Sequence, residues 1–195
     1  MGKDAALGRG GTGRNRDRSR NSSAKMNLSD HFTFEEMTVT SNSALQEKNR
    51  DIAKAYIPQL TALCNGLEKI RVGLGAPLRV HSGFRCPELN GSLPGSSNKS
   101  QHMLGEACDF TCPSLYPEDE DGNKMLFRRV LLIISENKMP FGQIIDEGID
   151  RGYGPVFWVH LSPGIFSRPI EKCGQVLTAR DGVYKLQIAI HQSGE

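Results

Sequence analysis

Between Ile52 and Ile70 apolar side chains recur at three- and four-residue steps, and this period sets what the chain can fold into. Ile52, Ala55, Tyr56, Leu60, Leu63, Leu67 and Ile70 predict a helix within Ser43 to Val72, with Pro58 as a kink or break. Gly73 and Gly75 end it. Ahead of it, Thr33 followed by Glu36 fits a capping box at a short helical start. Beyond it the period falls towards two. Leu78 to Ser82 reads as a strand running into a tight turn at Gly83, and "EACDF" as another. "FGQIIDEGI" and "VFWVHLS" read as a hairpin, and "QVLTARDGVYKLQIAI" as a last hairpin around Asp181-Gly182. Lys124 to Asn137 is a second helix, and "CPELNGSLPGSSNKS" and "PSLYPEDEDGN" are loops. Helices first and strands afterwards predict an α+β fold, a small antiparallel sheet with helices packed on one side.

Hydrophobic residues make up 37% of the 195, enough for one core, and 21 Gly with 10 Pro imply long loops. Residues 1–25 carry seven basic and two acidic side chains, a net of +5. The whole chain carries +2, so the rest carries −3. The mildly acidic remainder offers no specific nucleic-acid footprint. The Gly/Arg/Asn/Ser-rich start reads as a disordered basic leader over 1–25, with the domain over 26–195. No apolar stretch follows it, so no signal peptide is expected, and no run is long enough for membrane insertion. Five cysteines, an odd and irregularly spaced set, predict reduced structural thiols rather than a disulfide framework.

The chemistry concentrates in "SQHMLGEACDF" and, some fifty residues later, "WVHLS". Catalytic zinc commonly takes three protein ligands from His, Asp, Glu and Cys and keeps one position open. A loop entering a strand can bring His102 and Asp109 to one point, with Gly105 permitting a sharp backbone path. His160 sits mid-strand with Trp158 and Ser162 on its face. By spacing alone the set is suggestive only, since isolated His and Asp residues more often serve structure.

"SQHMLGEACDF" resembles the S-x-H-x-x-G-x-A-x-D pattern of the zinc D-alanyl-D-alanine carboxypeptidases and phage L-alanyl-D-glutamate endopeptidases, through Ser100, His102, Gly105, Ala107 and Asp109. "SGFRCPELN" is similar to that family's S-G-[YF]-R-[ST]-P-x-x-N segment, and "FGQIIDE" and "WVHLS" to its later strands. The branch it looks closest to is the short form of phages and gut bacteria. The resemblance implies a hedgehog/DD-peptidase-like fold, Zn2+ held by His102, Asp109 and His160, and peptidoglycan stem peptides as substrate. Arg85 would bind the substrate carboxylate or polarise the scissile carbonyl, and Ser100 and Gln143 would also contact substrate. Carboxypeptidase and endopeptidase action both fit, as do lytic and remodelling roles. The protein would act on the wall after release or as a virion component.

Many members of that family carry an acid three positions before the last His, where this chain has Phe157. The short branch places a Glu at the end of its "QLI-x-E" strand, which maps to Glu147 and makes it the expected general base. Asp146 is the reserve, and Glu106 is expected to face solvent. The departure at Phe157 keeps one alternative open, a non-catalytic zinc domain, as in hedgehog signalling domains; a virion structural protein of the same fold that kept the metal site is a second. His81 reads as a half-buried strand residue, a support behind the metal ligands or a substrate contact.

Overall fold

The structure, a computed structural model, describes residues 25–164 and 173–189. The basic leader expected over 1–25 therefore lies almost wholly outside the described residues. The first helix opens as the sequence implies. Thr33 caps α1 (Phe34–Met37), its side chain accepting from the Glu36 amide at 3.2 Å. The long apolar period then forms not one helix but two, α2 (Gln46–Ala53) and α3 (Ile57–Leu74). Pro58 occupies the first turn of α3, where its missing N–H costs nothing, so the break falls just before it. Gly75 closes α3 in the left-handed conformation at φ 68°.

The remaining elements are β1 (Arg79–Ser82), α4 (Pro87–Gly91), β2 (Cys108–Thr111), α5 (Glu120–Glu136), β3 (Phe141–Asp150), β4 (Pro155–Pro163), β5 (Gln175–Arg180) and β6 (Val183–Ala189). α4 lies inside a segment read as loop. α5 starts earlier than the apolar period indicates, because Asp119 caps it through the Gly122 amide and the acidic residues Glu120 and Asp121 favour its first turn.

The strands form one six-stranded sheet in the order β1-β2-β4-β3-β5-β6. Every pairing is antiparallel except β3 with β5, so the expected antiparallel sheet is mixed. The parallel pair arises because the chain leaves β4 and returns on the far side of β3. The β5–β6 turn uses Asp181 at φ 49° and Gly182 at φ 78°, matching the hairpin read there.

Side-chain alternation divides the sheet into two faces. α3 and α5 pack on one of them. Leu60, Leu63, Leu67 and Ile70 of α3 and Leu126, Val130 and Ile133 of α5 join Phe110, Ile144, Val159, Leu161 and Val176 in one buried cluster. Burying each such side chain favours folding by roughly 1.5–3 kcal/mol. The other face holds a separate small cluster, Ile145, Leu177 and Ala179. Among the described residues no helix is long and apolar enough to cross a membrane.

Cys64, Cys86, Cys108, Cys112 and Cys173 are all buried, and no disulfide forms among the described residues. Burial pushes the Cys64 thiol up to about 12 and Cys108 well above the ordinary range, which keeps both protonated and inert.

Candidate metal centre

The backbone register alone brings three side chains together. Asp109 on β2 lies opposite His160 on β4, and directly paired residues point to the same face. That face is the one turned away from α3 and α5. His102 arrives from outside the sheet, on a 3-10 turn over Gln101–Leu104. Gly105 ends the turn at φ 69°, a left-handed conformation that returns the chain into β2 within four residues. Gln101, next to His102, is 5% exposed and donates from Nε2 to Ser162 Oγ at 2.8 Å, fastening the turn to β4. Ser162 shares the His160 face, as the two-residue period implies.

The donor atoms converge. His160 Nδ1 lies 2.8 Å from Asp109 Oδ1, and His102 Nε2 lies 3.2 Å from both. All three residues are buried, and among the described residues they are the one group of His, Cys, Asp and Glu side chains whose ligand atoms gather this closely. Ligands about 2.0–2.2 Å from a tetrahedral cation stand about 3.4 Å apart, so the donor set fits a zinc-like ion, with the two 3.2 Å pairs near that spacing and the 2.8 Å pair needing to open by roughly half an ångström.

The ring orientation of His102 is fixed behind the site. Its Nδ1 donates to the Gly83 carbonyl at 2.7 Å, which leaves Nε2 as the lone-pair nitrogen facing Asp109 and His160. A side chain at Gly83 would force a shift, since a Cβ there would sit 2.4 Å from the Met37 carbonyl oxygen. The same carbonyl accepts from Phe84 N at 2.7 Å, pinning the chain just beyond β1, where the His102 partner lies.

The electrostatics suit a cation. Burial and the neighbouring Arg85 charge lower His102 to about 4, so the ring is neutral and able to ligate at neutral pH. Burial opposes the Asp109 charge, but the two histidines hold its carboxyl well below the ordinary range. Arg85 extends to the outer oxygen, with its terminal nitrogen 3.8 Å from Asp109 Oδ2. Its Nε is buried without a hydrogen-bond partner among the described residues.

Glu147 stands on the same face. Ile145 pairs with His160, and Glu147 follows two residues later, opposite Trp158. Burial, and then the Asp109 charge, raise its carboxyl above the ordinary range. Asp146 points to the helix face, where it is 5% exposed. There it accepts from Asn123 Nδ2 at 2.6 Å and pairs with Arg180 at 2.9 Å. Phe157 also belongs to the helix face, with the Arg180 guanidinium 5.3 Å from its ring centre. In this register an acid at 157 would point away from the three donors.

The other expected residues are distributed unevenly. Gln143 alternates with Glu147 along β3, but its amide is bonded to Gln175 Oε1 at 2.8 Å. Ser100 caps the turn that carries His102 without a side-chain cap hydrogen bond. Glu106, expected in solvent, is 4% exposed, because its amide bonds Gln101 O at 3.0 Å and folds residue 106 back against the turn. His81, expected to be half-buried, is instead exposed on β1, because it stands on the first strand of the sheet; its ring lies 2.9 Å from Thr111 Oγ1, and partial desolvation there lowers its pKa. One residue on the site face has no sequence signal: Tyr184 of β6, whose hydroxyl donates to Glu147 Oε1 at 3.3 Å.

Residues 30–121, just under half of the chain, match the family model described as Peptidase M15. The match supports a peptidase of that family. It takes in Arg85, His102 and Asp109, while Glu147, His160 and Tyr184 lie beyond it. No curated protein and no solved structure matches the chain.

Proposed function

We propose that this protein is a zinc-dependent peptidase that hydrolyses peptide bonds in peptidoglycan stem peptides. The observation that carries the reading is the convergence of His102 Nε2, His160 Nδ1 and Asp109 Oδ1, with a half-buried carboxylate, Glu147, on the same sheet face. The Peptidase M15 match to residues 30–121 supports the same class of chemistry.

In this reading His102, Asp109 and His160 hold the cation, which supplies Lewis acidity towards water and the scissile carbonyl. The chain's own groups do the rest. Glu147 takes a proton from the attacking water as its oxygen bonds to the carbonyl carbon. It then returns that proton to the departing nitrogen as the C–N bond breaks. A carboxyl raised by burial suits both halves of this transfer. Arg85, fixed beside Asp109, offers its outer guanidinium to a substrate carboxylate or to the developing oxyanion. Ser100 and Gln143 serve in this reading as further substrate contacts, Gln143 through its amide oxygen since its nitrogen is bonded to Gln175. With Glu147 on the donor face, Phe157 does not argue for a non-catalytic domain.

The test is digestion of purified peptidoglycan by the full chain, with product ends read by mass spectrometry. Cleavage that a chelator stops and added zinc restores is expected. Release of free D-alanine would assign carboxypeptidase action, and new amino termini on D-glutamate would assign endopeptidase action. Intact stem peptides after incubation with zinc-loaded protein would refute the reading.

A further inference from the structure

Tyr184 and Glu147 stand two strands apart. Adjacent strands are spaced about 4.8 Å, so their backbones are separated by roughly 10 Å. The residue between them is Ala179, paired with Glu147 across the parallel β3–β5 ladder and with Tyr184 across the antiparallel β5–β6 ladder. All three point to the site face. A methyl group at the centre of this row leaves a gap that a longer side chain would fill. The Tyr184 phenol crosses the gap and donates to Glu147 Oε1 at 3.3 Å.

We propose that Tyr184 is a positioning residue for Glu147, holding Oε1 from across Ala179 so that Oε2 is left to exchange a proton with the reacting groups. The proposal rests on the reading of Glu147 as general base. The terminal torsion of a glutamate is broad and weakly held, so an unrestrained carboxylate samples many orientations. A single donor on one oxygen removes much of that freedom. Burial, followed by the Glu147 carboxylate, pushes the Tyr184 phenol up to about 12, so it remains a donor across the neutral range. β6 is the last strand of the sheet, so Tyr184 is itself 51% exposed, and the next β6 side chain on the site face, Leu186, has no polar atom to offer Glu147. An edge strand that contributes little to the core thereby acquires a role at the site.

Tyr184→Phe removes the hydroxyl and keeps the ring. It should fold and bind zinc as the parent does and keep KM. It should lose about tenfold in kcat, the worth of one hydrogen bond to a charged group. In a Glu147→Gln background the same change should cost less than about twofold, because the two residues act as a unit. Equal losses in both backgrounds, or a loss confined to KM, would overturn the proposal. The contact has its own readout without turnover. The tyrosine 13Cζ resonance that disappears in Tyr184→Phe should shift in Glu147→Gln, and an unmoved resonance would also overturn the proposal. Absence of peptide hydrolysis by the unaltered chain would instead fail the peptidase reading, with the resonance still reporting whether the contact exists.

Discussion

Asp146 and Glu147 are neighbours with opposite fates, and they stand for the two faces of the sheet. Asp146 faces α5, where Asn123 and Arg180 satisfy its carboxylate, and Arg180 also lies against Phe157. Glu147 faces the other way, with a single hydroxyl, that of Tyr184, on one oxygen among the described residues, and burial followed by the negative Asp109 raises its pKa. The helix face gains stability from its charges. The site face carries charges held at a cost, which is where strained protonation equilibria accompany chemistry. One residue of strand parity separates the two regimes.

Removing a donor from the site face should have the largest effect. His160→Ala takes away one of three converging atoms, so the purified variant should lack stoichiometric zinc and hydrolyse no stem peptide. Metal analysis retaining a full equivalent would break the assignment. Next comes the support behind the site. Gly83→Ala drives a Cβ to 2.4 Å from the Met37 carbonyl oxygen, so the backbone must shift. A loss of about 1–3 kcal/mol in urea unfolding is expected, with weakened zinc affinity, because Gly83 also accepts from His102 Nδ1.

A smaller effect concerns pH. The folded-state pKa of Glu147 is raised, so the folded chain binds this proton more tightly than the unfolded chain. The base must be ionised to act. Activity should therefore fall as pH drops through a midpoint above the ordinary glutamate value of 4.5. An acidic limb at or below that value would contradict the assignment. The smallest effect is an expected absence. Placing an acid at position 157 by Phe157→Glu should not restore turnover to Glu147→Gln, because 157 lies on the helix face. Recovery of activity would show that β4 can change register.

Much of the fold is legible in the sequence because it is local. The α3 period, the Thr33 cap, the Asp181-Gly182 turn and the alternation of His160 with Trp158 and Ser162 each depend on a few adjacent residues. Strand parity alone separates Glu147 from Asp146. What is not legible is non-local. The parallel β3–β5 pairing depends on where the chain returns after β4, which no period encodes. Tyr184 reaches Glu147 only because that pairing places Ala179 between them. The start of α5 is hidden because Glu120 and Asp121 read as an acidic loop, although acidic residues after an Asp cap also favour a helix. Glu106 reads as a solvent residue until the turn ending at Gly105 folds it inward.

Whether one face of the sheet serves stability and the other chemistry can be decided by measuring Asp146→Asn and Glu147→Gln side by side, for urea midpoint and for peptidoglycan turnover per folded, zinc-loaded molecule. Asp146→Asn should lose about 1–3 kcal/mol of stability and keep its turnover. Glu147→Gln relieves a half-buried charge, so its midpoint should match or exceed that of the parent, while turnover falls by about 10²–10⁴. The reverse pattern, a stable but inactive Asp146→Asn beside an active Glu147→Gln, would contradict the account.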